Sequence, residues 1–183
     1  MAPTHAAFAF VLVVALLDSG CSTGRHTAWR ARSSTALASE RADACLADVP
    51  ACTARCEGGD AATCNLLGVQ LEIGLIGGPR PHAASQAYIR GCNEDYPPSC
   101  ANLGWLVLRG TGVPANPPLA LVLFQRAYDG YSHACMMGHG PSCVAAVDAL
   151  DMADAEPGEE IALLDRGCEL GEERACRERA APR

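Results

Sequence analysis

The stretch CEGGDAATCNLLG (residues 56–68) returns 36 positions later as CNEDYPPSCANLG (residues 92–104), and reading the two together decides the fold. Each holds two cysteines eight positions apart, followed by a leucine and a glycine at the same offsets. The cysteine pair recurs at Cys135 and Cys143 and again at Cys168 and Cys176, a regularity that chance does not produce. Self-similarity at a fixed period of this length is the mark of a repeat architecture. After the second cysteine of successive pairs, Leu71, Val107 and Leu150 follow Leu67, Leu103 and Ala146 by four positions, the step of one helical face. Each run stops at a breaker: Gly74 through Pro81, Gly110 through Pro118, Asp154 through Gly158. A second helical run follows each break, AASQAYIR (83–90), LALVLFQR (119–126) and EIALLDR (160–166). The pattern predicts an all-α chain built as an αα-hairpin repeat solenoid over residues 39–178.

The spacing is uneven in an informative way. Arg90 and Arg166 each precede a pair's first cysteine by two positions, whereas Arg126 does so only if Tyr128 stands in the cysteine's place. Cys135 then lies seven residues late, about two helical turns. The reading is one lengthened helix rather than a broken repeat; the last repeat is instead expected to have a shorter loop.

Cysteines eight positions apart on a continuous helix would lie about 12 Å apart along its axis. A disulfide needs Cα atoms within roughly 7 Å, so the chain must turn between them. The intervening residues suit a turn: Gly58-Gly59-Asp60, Asp95 with Pro97 and Pro98, Gly138 with Gly140 and Pro141, and Gly171. The expected bridges are Cys56–Cys64, Cys92–Cys100, Cys135–Cys143 and Cys168–Cys176, each at the junction of one repeat with the next. Cys45 and Cys52 form a fifth pair across Val49-Pro50, with pairing among Cys45, Cys52 and Cys56 left open. Cys21 remains over.

Eleven cysteines in 183 residues point to an oxidising compartment. An apolar run from Ala6 to Leu17 is short for a bilayer span and right for the core of an export signal. The following Asp18-Ser19-Gly20-Cys21 resembles the lipobox of bacterial lipoproteins, in which the cysteine is acylated. Residues 1–21 are therefore read as a signal ending at Cys21, 22–38 as a flexible Ser/Thr/Arg-rich tether, and 179–183 as a tail. The expected location is the bacterial envelope, as an outer-membrane lipoprotein facing periplasm or exterior, with plain secretion as the alternative.

A formal charge of −7 argues against nucleic acid as a partner. No cofactor is expected. The C-x7-C spacing is not that of a structural zinc site. The segment His133-Ala134-Cys135-Met136-Met137-Gly138-His139 carries soft groups that suit copper, although its plain reading is a bridged cysteine with surface histidines and packing methionines. The acidic run from Asp148 to Glu160 lacks the ligand order of an EF-hand and reads as a solvated helix end and loop. Trp105, Tyr88, Phe124, Tyr128 and Tyr131 are the large aromatics of the array, most expected in the inter-helix core and one or two along a groove.

The pattern A-C-x-x-G-[DHE]-x-x-[AS]-C-x-N-L-G with a G-x-G-V loop resembles the Sel1-like repeat, and more closely the cysteine-rich Hcp-type proteins. It is carried by Cys56 to Gly68, by Cys100-Ala101-Asn102-Leu103-Gly104 with Gly110-Thr111-Gly112-Val113, and by Cys168 to Cys176. The resemblance implies a tetratricopeptide-like solenoid whose concave groove takes a protein or peptide ligand. For the Hcp-type proteins it also implies binding of β-lactams or peptidoglycan fragments and a β-lactamase activity. The residues speak against a serine β-lactamase: Ser-x-x-Lys and Lys-Thr-Gly both need lysine, and all 14 basic residues here are arginine. The five histidines never come closer than six positions. The expectation is a binding scaffold with no catalytic and no metal-binding residues.

Overall fold

A computed structural model of the chain describes residues 43–153 and 158–181. The signal, Cys21 and the tether lie outside the described residues, as do 154–157 and 182–183. After a helical turn at 43–47, the elements are α1 (Val49–Glu57), α2 (Ala61–Ile73), α3 (Pro81–Asn93), α4 (Pro97–Arg109), α5 (Pro117–Met136), α6 (Gly140–Ala153), α7 (Glu159–Glu169) and α8 (Glu173–Arg179). No strand occurs among the described residues.

Local chemistry sets these boundaries. Prolines open α3, α4 and α5 at the first helical positions, where no backbone donor is lost. Asp48, Asp60 and Asn116 accept hydrogen bonds from the backbone N–H of Ala51, Thr63 and Leu119, capping α1, α2 and α5. Gly74 and Gly110 close α2 and α4 in the left-handed conformation, at φ 83° and 67°.

The helices pair as hairpins, α2 with α3, α4 with α5 and α6 with α7, and each packs on its chain neighbours, so the stack is a solenoid. α5 has 20 residues where α3 has 13, the seven-residue extension read from the cysteine spacing. At the last repeat only five residues separate α6 from α7, and α7 is itself cut to 11 residues, so the short spacing comes from helix as well as loop.

The core divides in two. One cluster runs from Cys45 through Tyr88 and Phe124 to Ala127, and the other gathers Cys135, Cys143, Val147, Leu164 and Ala175. Tyr128 and Tyr131, both on the extension of α5, pack against both clusters and join them. Within the first two hairpins, a glycine on one helix receives a buried aromatic from the other. A Cβ on Gly104 would meet Phe124 Cε1 at 2.9 Å, and one on Gly68 would overlap the Tyr88 ring.

Candidate functional site

The junctions between helices hold every cysteine among the described residues. The Cα atoms of Cys56 and Cys64, and of Cys168 and Cys176, are 4.6 Å apart. Those of Cys92–Cys100 and Cys135–Cys143 are 4.7 Å apart, and Cys45–Cys52 closes at 5.0 Å. Each of the four repeated bridges straddles one turn built the same way. The third residue after the first cysteine takes positive φ: Gly59 at 92°, Asp95 at 53°, Gly138 at 96°, Gly171 at 82°. The next residue donates its N–H to the carbonyl five positions back: Asp60 to Arg55, Tyr96 to Gly91, His139 to Ala134, Glu172 to Gly167. Asp95 alone is not glycine, and Arg126 Nη2 holds its carboxylate at 2.6 Å while also donating to the Cys92 carbonyl at 2.9 Å. The bridged sulfurs are therefore committed to joining helices.

Between the repeats lies a cleft. α2 and α4 pack directly: Asn102 Nδ2 donates to Asn65 Oδ1 at 3.0 Å, and Ser99 Oγ donates to the same oxygen at 3.4 Å. α4 and α6, the next such pair, are not packed against each other in this way; α5 lies against both. α5 runs about two turns longer than α3, and a cavity of about 170 Å³ lies in the gap between α4 and α6. Ala101 and Trp105 of α4 form one wall, Phe124 and Tyr131 of α5 the floor, and Ala145, Asp148, Ala149 and Met152 of α6 the other wall. Small alanines on both walls leave the space, and the aromatics give it stiff apolar faces.

Trp105 is the centre of this arrangement. Its ring meets Phe124 edge to face, with centroids 5.4 Å apart and planes at 74°. The Arg109 guanidinium carbon sits 4.7 Å from the Trp105 ring centroid, a cation–π contact that fixes the indole. On the opposite wall, Arg174 of α8 grips both oxygens of Asp148, at 2.6 and 2.9 Å, and donates to Glu178 Oε1 at 2.6 Å. Burial, then the nearby Tyr96 and Asp148, push the Tyr131 hydroxyl up to about 12, so it stays protonated at neutral pH. Burial and the surrounding Glu160, Asp148 and Glu178 raise the Asp151 carboxyl, which marks this end of α6 as a region of surplus negative charge.

Of the five aromatics expected mostly in the core, two are fully buried there and three are only partly buried against it. Tyr88 and Phe124 are buried in the core, and Trp105 and Tyr131 line the cleft with one edge of Phe124. Tyr128 hydrogen-bonds Glu159 across to α7. Sequence reasoning missed Asp148 and Met152 as cleft residues, together with the alanines Ala101, Ala145 and Ala149. The repeat register held a signal for one of them: Trp105 and Asp148 occupy the same position of successive repeats, and both face the gap. In the segment His133 to His139 the structure corrects the sequence reading. Met136 and Met137 do not pack; they are 68% and 76% exposed. The acidic segment is divided between the end of α6, residues outside the described set, and Glu159 and Glu160 at the start of α7.

Neither a protein-family model nor a curated protein matches the chain. Among solved structures it is similar to a Sel1 repeat protein from Oxalobacter formigenes, with 20% sequence identity and a TM-score of 0.49 over 66% of this chain. The chain spans about half of that protein's length, 47% of it. The chain itself is an all-α array of disulfide-stapled αα-hairpins.

Proposed function

We infer that this chain is an extracytoplasmic scaffold that binds a protein or peptide by taking one large apolar side chain into the cleft between α4 and α6. The observation that carries this reading is the size of the cleft set against its lining. Sites for drug-sized molecules usually enclose about 300–1,000 Å³. The 170 Å³ here suits a single leucine, methionine or aromatic side chain, an anchor of the kind that dominates protein–protein affinity. The same comparison weighs against a β-lactam in this cleft, the ligand that the Hcp-type resemblance would bring. Five bridges support folding in an oxidising compartment. Among the described residues no helix is long and apolar enough to cross a membrane. In this reading residues 1–21 and an acylated Cys21 attach the protein to the envelope, with 22–38 as the tether.

A random-peptide display against the purified, oxidised protein tests the reading. Enriched peptides should share one aromatic or large aliphatic residue. Trp105→Ala should weaken them at least tenfold, about 1.4 kcal/mol, while Val122→Ala on the exposed outer face of α5 should leave them unchanged. Nitrocefin turnover by the same protein, abolished by a substitution in the cleft, would replace this reading with a hydrolytic one.

A further inference from the structure

The end of α5 presents an apolar pair to solvent where the other repeats do not. Following the first cysteine of each junction stand Glu57 and Gly58, Asn93 and Glu94, Met136 and Met137, and Glu169 and Leu170. Only the third junction places two long thioether side chains there, 68% and 76% exposed. Exposing two methionines side by side forgoes the burial that ordinarily accounts for the residue, so their chemistry is the better explanation than their packing. Methionine is also scarce in this chain, four in all, and the only other within the described residues, Met152, lines the cleft.

The neighbours are imidazoles. His133 stands three and four positions before the two methionines, and helical geometry persists to the end: the Met137 N–H still donates to the His133 carbonyl at 3.0 Å. Residues at these offsets share one helix face, with Cβ atoms about 5–6 Å apart. His133 is exposed as they are, while Cys135 between them is buried on the opposite side. The turn then brings His139 back onto the helix end, its N–H on the Ala134 carbonyl at 3.0 Å. His139 Nδ1 is engaged with Ser142 Oγ at 2.7 Å, which leaves Nε2 as the nitrogen a metal would take.

We propose that His133, Met136 and Met137, with His139 Nε2 as a fourth donor, form a surface site for a soft monovalent cation, Cu(I) in particular. Thioether and imidazole are the soft and borderline donors that select Cu(I) over harder ions. The alternatives are poorly served: among the described residues no group of three His, Cys, Asp or Glu side chains is placed to hold a metal, and all ten of the described cysteines are bridged. Methionine is the soft donor that survives an oxidising compartment without forming a disulfide. The site lies at the outer end of the α5 extension and is independent of the cleft reading.

Methionine ε-methyl NMR of the full chain, with Cys21→Ser to remove the competing thiol, tests the site directly. Silver(I), redox-inert and equally soft, replaces Cu(I) so that no reductant touches the bridges. The Met136 and Met137 methyl resonances should shift and saturate at one ion per chain, with Met152 unmoved as an internal control. Zn(II) should move none of them. Met136→Leu with Met137→Leu, which keeps side-chain volume, should weaken Ag(I) at least tenfold with an unchanged helical spectrum, and His133→Ala should weaken it as well. No shift, a parallel shift of Met152, or unchanged affinity in either variant would overturn the proposal.

Discussion

Gly104 and Phe124 divide a single volume between them, and so do Gly68 and Tyr88. In the third hairpin the corresponding positions are Val147 and Leu164, both buried in one cluster. The third repeat, which has Ala145-Ala146-Val147 where the second has Asn102-Leu103-Gly104, therefore carries a compensated exchange: a larger residue on α6 and a smaller one on α7. This makes a cycle of substitutions informative. Alanine in place of Gly104 gains up to about 1 kcal/mol of helix propensity but forces a Cβ against the Phe124 ring, an overpacking cost of about 1–3 kcal/mol. Gly104→Ala should destabilise the protein alone and stabilise it, or leave it neutral, beside Phe124→Leu. Urea denaturation of the four proteins measures the coupling, expected at about 1–3 kcal/mol. Additive effects would show that the ring is free to move aside.

At the scale of the element, the decisive feature is the length of α5. Its two additional turns hold Tyr128 and Tyr131 and join the two core clusters, and α6 does not pack on α4 as α4 packs on α2. Deleting residues 128–134 would set Cys135 where Cys92 stands in the preceding repeat. The Cys135–Cys143 bridge should still form, the cleft should close, and Trp105 should lose solvent contact, seen as a blue shift of its emission with Trp29 replaced. An unshifted Trp105 would mean that the extension does not create the cleft. The extension itself was legible, because a seven-residue excess between Arg126 and Cys135 keeps one helical face. So were the hairpin breaks at Gly74 and Gly110 and the turns between paired cysteines. The cleft was not. It is a tertiary gap between α4 and α6 that no local pattern marks, and three of its wall residues are alanines that look like any other helix filler. Nor was the exposure of Met136 and Met137 legible, since hydropathy alone assigns methionine to the core.

Across the whole molecule, the five bridges sit where a solenoid has least redundancy. Each repeat touches only its neighbours, so one loosened junction separates the array into two parts. Closing an eight-residue loop contributes about 2.5 kcal/mol in the chain-entropy model, and five together roughly 12 kcal/mol. That is the size of an entire domain's net stability, about 5–15 kcal/mol, so the fully reduced chain should lose most of its helical signal. The order of reduction should follow burial. Cys56, Cys64, Cys92, Cys100, Cys135 and Cys143 are all within 2% of full burial, whereas Cys168 and Cys176 are half-buried beside the seven-residue α8. A reductant reaches a buried sulfur only when its junction opens, and an end repeat with one neighbour opens most easily. Limited reduction followed by alkylation and mass spectrometry should find Cys168–Cys176 reduced first and the three internal bridges last. Simultaneous reduction of all five would instead mean that the array opens as one cooperative unit, and that the staples act together rather than junction by junction.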